Sequence, residues 1–188
     1  MKIAMVGTGY VGLVSGLCFA EFGFETLCVD KDQSRINSIA KGECPFFEPG
    51  LDDLLVKHLN STKRFSLSNN LSESLKEANV VFITVGTPTK RLENEADLNA
   101  VYEVAKEISE NIVNYCVVVT KSTVPVGTTR KIKEIISQKV PSNKFDSWPG
   151  TSMSAPIITG VVALMKSINP DLTNKEIIKI LQETGKNV

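Results

Sequence analysis

The sequence predicts an α/β protein built on a doubly wound parallel sheet with helices on both faces. Short β-branched runs alternate with longer amphipathic stretches from Lys2 to about Val140, which is the pattern of successive βαβ units. The runs are nearly continuous in apolar residues, as expected for strands that are buried on both faces. A glycine-rich turn directly follows the first run and opens a helical stretch.

Five strands are expected in this part of the chain: KIAMV, TLCVD, RFSLS, NVVFITV and CVVVTKS. The stretch YVGLVSGLCFAEFG has apolar residues at helical spacing and ends at Gly23, and SRINSIAKG ends in the same way. Later crossover helices are expected in DLNAVYEVAKEISENI and TTRKIKEIISQKV. We therefore predict one domain over residues 1–140.

The rest of the chain breaks this rhythm. Residues 141–149 contain two prolines with Asn and Asp, which predicts a connecting junction. Residues 150–188 predict two helices in a partial domain. The first, SMSAPIITGVVALMKSI, is apolar on nearly every side, and the second opens with a capping box from Thr173 to Glu176.

Composition excludes several classes of partner. The 21 basic residues balance 21 acidic ones without a basic stripe, which argues against nucleic acid or an anionic membrane. The longest late apolar run, APIITGVVALM, is about half the roughly 20 residues that a membrane span needs. Four cysteines without a CxxC pair, and no signal peptide before the first strand, predict reduced thiols in a cytoplasmic protein.

The glycine-rich turn is Gly7-x-Gly9-x-x-Gly12. In this pattern the first glycine permits a tight turn, the second lets a pyrophosphate approach the backbone, and the third lets the helix pack close to the strand. Asp30 follows Gly12 by 18 residues, where a carboxylate accepts hydrogen bonds from the adenosine ribose and repels a 2′-phosphate. NAD is therefore expected rather than NADP. The alternative is that the glycines serve only the turn and that Asp30 only caps a helix.

Four motifs go beyond a general dinucleotide fold: GTGYVGL, KGECPFFEPGLDDLL, VFITVGTPT followed by ADLNAV, and VVVTKSTVPVGTTRKI. In this order and spacing they resemble the UDP-glucose 6-dehydrogenase family over about residues 1–140. The resemblance implies a Rossmann-type domain and NAD-dependent oxidation of a UDP-sugar alcohol to a carboxylate, in two hydride transfers through a thiohemiacetal on a cysteine.

The resemblance also implies which residues contact NAD. Arg35, where the family more often has Lys, would lie along the adenosine side, and Thr87 would lie at the carboxyl edge of the sheet. Thr123 would lie near the nicotinamide and take part in catalysis, the alternative being an N-cap for the next helix. The full expected set is Gly7, Gly9, Tyr10, Val11, Gly12, Asp30, Arg35, Thr84, Gly86, Thr87 and Thr123.

Departures from the family begin after Lys144. The segment with the catalytic glutamate, the sugar-binding domain and the loop with the nucleophilic cysteine do not follow, and the sheet is expected to lack its sixth strand. Cys18 and Cys116 are expected in the core, and Cys44 lies in the wrong part of the pattern. We therefore expect NAD binding without turnover, with a UDP-sugar as partner only if another domain completes the site.

Residues 149–188, GTSMSAP with the stretch after it, resemble the catalytic-serine segment of subtilisin-like serine proteases, which implies Ser152 as nucleophile. The other protease motifs do not occur in the sequence, and His58, expected to be a half-exposed helix residue, is not directed to Ser152. A serine-hydrolase fragment is one alternative function. Another is a non-catalytic protein that forms homo-oligomers through its exposed apolar helix, unless that helix packs on the open sheet.

Overall fold

The computed structural model describes residues 1–89, 96–141, 143–149, 165–166, 169–173, 175–177 and 179–180. The chain divides into two compact units, Met1–Gly150 and Thr151–Val188. In the first unit the elements are β1 (Lys2–Val6), α1 (Tyr10–Glu21), β2 (Glu25–Val29), α2 (Gln33–Ala40), α3 (Leu51–Lys57), a π-helical turn (His58–Thr62), β3 (Phe65–Ser68), α4 (Leu71–Leu75), β4 (Val80–Ile83), α5 (Asn99–Asn111), β5 (Cys116–Thr120), α6 (Thr128–Ser137) and β6 (Phe145–Pro149).

All six strands are parallel, in the order β3-β2-β1-β4-β5-β6. The chain winds outward from β1 to β3 on one side and then from β4 to β6 on the other. This order confirms the predicted doubly wound sheet. It also puts the topological switch point between β1 and β4, where the carboxyl ends of the strands open a crevice for a ligand.

Each face of the sheet carries its own hydrophobic core. Successive side chains of a strand point to opposite faces, so β1 contributes Ile3 and Met5 to one core and Ala4 and Val6 to the other. The first core is completed mainly by α1 and α3, and the second by α4, α5 and α6. Both faces are therefore covered, which explains why the strands are so apolar in sequence.

The expected junction contains a strand. Residues 141–149 were predicted to connect two parts, but Phe145–Pro149 forms β6, paired in parallel with β5, and so the sheet has its sixth strand. Phe145 is buried in the core beside α6. The prolines misled the prediction, because an edge strand tolerates proline where a central strand does not. The domain boundaries themselves stay a prediction.

His58 is not half-exposed as expected. Its side chain is only 1% exposed, and its two ring nitrogens contact Glu21 Oε2 at 2.8 Å and Thr62 Oγ1 at 2.7 Å. Leu51, Leu55 and His58 stand at helical spacing, and all three are buried. This spacing indicates a buried face, and hydrogen bonds to both nitrogens make the burial of the ring tolerable.

In the second unit the capping box is confirmed. The backbone N–H and the hydroxyl of Thr173 both donate to Glu176 Oε2, at 2.8 and 2.7 Å, and the N–H of Glu176 lies 3.4 Å from Thr173 Oγ1. Ser152 and most of the apolar segment 152–168 lie outside the described residues, as does the expected packing of that segment on the sheet. Within the described ranges, no helix is long and apolar enough to cross a membrane.

Candidate dinucleotide-binding site

The ends of β1, β2 and β4 meet around a cavity of about 380 Å³ at the carboxyl edge of the sheet. Six of the predicted cofactor residues line it: Gly7, Gly9, Asp30, Arg35, Thr84 and Gly86. The apolar wall of the cavity is formed by Leu71, Val85, Ala100 and Val104. The cavity thus combines charged and apolar lining residues, which suits a nucleoside.

The turn after β1 brings α1 unusually close to the sheet. Gly7 has a φ of +103° and donates its N–H to the Val29 carbonyl at 2.7 Å. A Cβ on Gly12 would lie 1.8 Å from the Gly7 carbonyl oxygen and 2.6 Å from Thr84 Oγ1. Only a residue without a side chain fits there, so the first and third glycines of the motif are required by the fold.

Gly9 differs from its neighbours in the motif. Its backbone is extended, with φ −72° and ψ −171°, and a Cβ built on it would meet nothing within 4 Å. It is the N-cap of α1 and makes no side-chain cap, and the first backbone bond of the helix runs from Leu13 N to the Gly9 carbonyl at 2.9 Å. The N–H groups of the first turn are therefore available to an anion.

Asp30 is held in place at the end of β2 by several donors. Its Oδ2 accepts the N–H and the hydroxyl of Thr8 at 2.8 and 2.7 Å and lies 3.5 Å from Arg35 Nη1, while its Oδ1 accepts the N–H of Asp32 at 3.0 Å. Burial acts to raise the pKa of Asp30, but these hydrogen bonds and the Arg35 charge outweigh it and hold the pKa below its usual value. The carboxylate is therefore ionised at neutral pH.

The alternative role of Asp30 as a helix cap is wrong. Asp32 is the N-cap of α2, and its Oδ1 accepts the N–H groups of Ser34 and Arg35 at 3.0 and 3.2 Å. Asp30 lies two residues earlier, and only 10% of its side chain is exposed. Its position serves the cavity instead of the helix.

Two threonines tie the loops at this edge together. The Thr84 hydroxyl lies within hydrogen-bond distance of the carbonyls of Val6, at 2.8 Å, and Gly7, at 3.0 Å, so it fixes the ends of β1 and β4 to each other. The Thr87 hydroxyl donates to the Thr123 carbonyl at 2.8 Å and joins the loops after β4 and β5. Thr123 does not cap a helix, because α6 begins at Thr128 with Gly127 at its N-cap.

Five predicted residues do not line this cavity: Tyr10, Val11, Gly12, Thr87 and Thr123. Tyr10 is half-exposed, its hydroxyl donates to the Glu48 carboxylate, and its ring lies 4.9 Å from that of Phe46. The structure thus joins Tyr10 to the loop before α3.

Sequence reasoning missed Thr8 and the apolar wall. Thr8 is fully buried although it is polar. Its position between two motif glycines did not indicate that it would form hydrogen bonds to Asp30. The wall was detectable, because Ala100 and Val104 stand four residues apart on one face of α5.

Three of the cysteines, Cys28, Cys44 and Cys116, have raised pKa values and are not activated. Burial raises the pKa of Cys116 to about 11, and burial together with a hydrogen bond from the thiol to the Asp52 carboxylate raises that of Cys44 to about 12. The pKa of Cys28 is also raised by burial. All four thiols are free. The described residues contain no cluster of side chains that could hold a metal ion.

A larger cavity of about 500 Å³ lies by the amino ends of β1 and β2, between residues such as Lys2, Glu25 and Glu77. Lys2 forms ion pairs with both of these glutamates across it. Ligands of open parallel sheets bind at the carboxyl ends of the strands. The smaller cavity at that edge is therefore the candidate site.

A doubly wound sheet with a glycine turn at its switch point and a carboxylate at the end of β2 defines a dinucleotide-binding domain of the Rossmann class. A family model described as "UDP-glucose/GDP-mannose dehydrogenase family, NAD binding domain" matches residues 1–156. This match covers most of the chain. The chain belongs to that family, and residues 1–156 are its NAD-binding domain.

Individual relatives agree with this. UDP-glucose 6-dehydrogenase from Rhizobium meliloti strain 1021 is 49% identical over 142 residues, which cover 76% of this chain and 32% of the relative. The structure of a ternary complex of GDP-mannose dehydrogenase from Pseudomonas aeruginosa matches with a TM-score of 0.75 and 31% identity, over 79% of this chain and 35% of that one. The chain therefore spans about a third of the length of these proteins.

The comparisons do not support the resemblance of residues 149–188 to subtilisin-like proteases. The family model continues through the predicted junction to residue 156. An uncharacterized protein of Methanocaldococcus jannaschii is 35% identical over 196 residues, covering 99% of this chain and 21% of that protein. The similarity to that protein therefore extends into the segment that was assigned to a protease.

Proposed function

We propose that the cavity at the carboxyl edge of the sheet binds NAD. The N–H groups at the start of α1 would hold the pyrophosphate, Asp30 would accept a hydrogen bond from the adenosine ribose, and the wall formed by Leu71, Val85, Ala100 and Val104 would receive the adenine. Bound there, NAD would supply a hydride acceptor.

Gly9 is the observation that carries this proposal. Its backbone angles suit any residue and a Cβ would find open space, so neither the turn nor the packing of α1 requires glycine there. The missing side chain leaves room at a helix N-terminus for an anionic ligand. The alternative that the glycines serve only the turn accounts for Gly7 and Gly12 but not for Gly9.

Asp30 favours NAD over NADP. Its low pKa keeps it charged at neutral pH, and a buried carboxylate repels a 2′-phosphate. Arg35 could accept such a phosphate, but its guanidinium lies 3.5 Å from Asp30 Oδ2, so its charge is already balanced. We expect the preference to depend on Asp30.

The wider activity follows from the relatives. We propose that this domain serves a nucleotide-sugar dehydrogenase that oxidises UDP-glucose to UDP-glucuronate in the cytoplasm, with Thr87 and Thr123 on the nicotinamide side. The 49% identity to a UDP-glucose 6-dehydrogenase supports this choice of sugar. Hydride transfer needs the sugar carbon held against the nicotinamide. Since the chain spans about a third of that relative, we expect these 188 residues by themselves to bind NAD without oxidising UDP-glucose.

Calorimetric titration of the whole chain with NAD and with NADP tests the proposal. The wild-type chain should bind NAD at one site and NADP more weakly. Asp30→Ala should weaken NAD binding about tenfold or more, because a hydrogen bond to a charged group is lost. It should also reduce the difference in affinity between NAD and NADP, because Arg35 no longer pairs with Asp30. Glu134→Ala is the matched control, since it removes an exposed negative charge on α6.

The outcomes separate clearly. Absence of saturable NAD binding by the wild-type chain would overturn the proposal, as would equal weakening by Asp30→Ala and Glu134→Ala. A parallel assay follows NADH absorbance with UDP-glucose present. Turnover well above the blank would contradict the expectation that this chain binds without catalysis.

Ser152 has no part in this proposal. The chain contains one histidine, and both ring nitrogens of buried His58 are already hydrogen-bonded to Glu21 and Thr62. It cannot act as the general base that a nucleophilic serine needs. Formation of homo-oligomers through the apolar segment 152–168 stays a prediction, since most of that segment lies outside the described residues.

A further inference from the structure

Thr8 lies between the first two motif glycines and is fully buried. Both of its donors go to a single acceptor: its N–H and its hydroxyl contact Asp30 Oδ2 at 2.8 and 2.7 Å. A buried hydroxyl could satisfy itself on a nearby carbonyl with no consequence for the site. Here it donates to Asp30, a carboxylate at the end of β2 that lines the cavity.

The two carboxylate oxygens of Asp30 differ in the number of hydrogen bonds that they accept. A carboxylate oxygen has about two acceptor positions. The two donors of Thr8 occupy those of Oδ2, whereas from the part of the chain that the structure describes Oδ1 accepts one bond, from the N–H of Asp32 at 3.0 Å. One acceptor position on Oδ1 therefore remains for a ligand hydroxyl.

Arg35 favours a different orientation of the Asp30 carboxylate. A guanidinium beside a carboxylate favours a bidentate pair that uses both oxygens, yet Arg35 Nη1 stands 3.5 Å from Oδ2 alone. With Oδ2 held by Thr8, the carboxylate cannot turn to offer both oxygens to the guanidinium. Without the hydroxyl, that turn would cost less, and Oδ1 would be drawn away from the ligand.

We propose that Thr8 is a positioning residue that holds the Asp30 carboxylate in the orientation that receives a ribose hydroxyl of the dinucleotide on Oδ1. This inference rests on the proposed binding of NAD in the same cavity. Thr8 acts through Asp30 and makes no direct contact with the ligand.

A double-mutant cycle on NAD affinity tests this role. Thr8→Val keeps the β-branched shape and the backbone N–H but removes the hydroxyl, and it should weaken NAD binding about tenfold, as expected for one hydrogen bond to a charged group. Thr8→Ser retains the hydroxyl and should bind within about twofold of wild type. In the Asp30→Ala background, Thr8→Val should have no further effect, because contacting residues are not additive. Thermal unfolding of each variant confirms that it is folded.

Each outcome decides a point. The inference is supported if Thr8→Val lowers NAD affinity, Thr8→Ser does not, and Thr8→Val has no effect in the Asp30→Ala background. Wild-type affinity in Thr8→Val overturns it, and so does an equal loss in both backgrounds, which is what a general packing role would give. If the wild-type chain does not bind NAD, the proposed function fails and the role of Thr8 fails with it.

Discussion

Gly9 and Gly12 should separate binding from folding when each is replaced by alanine. The two positions are three residues apart in one motif, yet their surroundings are opposite. A Cβ at position 9 meets open space, whereas one at position 12 lies 1.8 Å from the Gly7 carbonyl oxygen. Gly9→Ala is therefore expected to weaken NAD binding and keep stability, and Gly12→Ala to lower stability first.

The magnitudes follow from these contacts. In Gly12→Ala, α1 and the turn must part by roughly 1.5 Å to restore an ordinary contact. Overpacking of this kind lowers the free energy of unfolding by about 3 kcal/mol, and the better helix propensity of alanine offsets about 1 kcal/mol of that loss. The net loss of about 2 kcal/mol corresponds to a Tm about 4–8 °C lower for a chain of this size.

For Gly9→Ala, the weaker N-cap and the reduced freedom of the unfolded chain have opposite signs, so stability should stay within about 1 kcal/mol. The methyl group would occupy space beside the first N–H groups of α1. NAD affinity should then fall at least about tenfold, which is about 1.4 kcal/mol.

Thermal unfolding and NAD calorimetry on both variants are the assays. The reasoning is refuted if Gly12→Ala has the Tm of the wild-type protein, since the close approach of α1 to the turn would then not limit stability. It is equally refuted if Gly9→Ala binds NAD with wild-type affinity, because the open space at position 9 would then have no ligand.

Three further outcomes are expected, the first of which concerns acid. The pKa of Asp30 is lower in the folded state than in the unfolded state. Its contribution to stability should therefore be complete above its ordinary pKa of about 4 and should be lost as pH falls through the folded pKa. In urea unfolding at several pH values, the free energy of unfolding of wild type should exceed that of Asp30→Asn, and this difference should shrink only below about pH 4. His58→Ala should lower the free energy of unfolding by about 3 kcal/mol, since it leaves a cavity and leaves the partners of both ring nitrogens unpaired. A loss of less than about 1 kcal/mol in urea unfolding would contradict the burial of this side chain. Thr120 Oγ1 is buried without a hydrogen-bond partner in the described part of the chain, so Thr120→Val should raise the free energy of unfolding by about 1 kcal/mol, and a lower Tm would show that the hydroxyl is satisfied.

The order of the elements was predictable because it depends on local patterns. Strands buried on both faces read as continuous apolar runs, and the βαβ rhythm leaves few possible topologies. What failed depended on contacts that are distant in sequence. β6 is stabilised by its pairing with β5 and by the burial of Phe145, and neither can be read from the prolines around it.

The candidate site divides in the same way. Gly7, Gly12 and Asp30 were predictable because the motif fixes their spacing, but Thr8 was not, because its partner stands 22 residues away across two strands. The burial of His58 similarly depends on Glu21, 37 residues earlier in the chain. The helical spacing of His58 with Leu51 and Leu55 indicates a buried face, but the remote partners that make a buried polar side chain tolerable give no periodic signal.

The site is built from two kinds of part that should tolerate change differently. The proposed seat for the pyrophosphate is made of backbone N–H groups, and its shape depends on Gly7 and Gly12, which the packing of α1 and β4 requires. The part proposed to select the ribose depends on side chains: Asp30 is held by Thr8 and by the N–H of Asp32, and it balances the charge of Arg35. Substitution of Gly7 or Gly12 should lower stability together with affinity, whereas Gly9→Ala should lower affinity alone. Substitution of the second kind of part should shift the choice between NAD and NADP while the fold stays intact, so cofactor preference can change in this domain without a change of architecture.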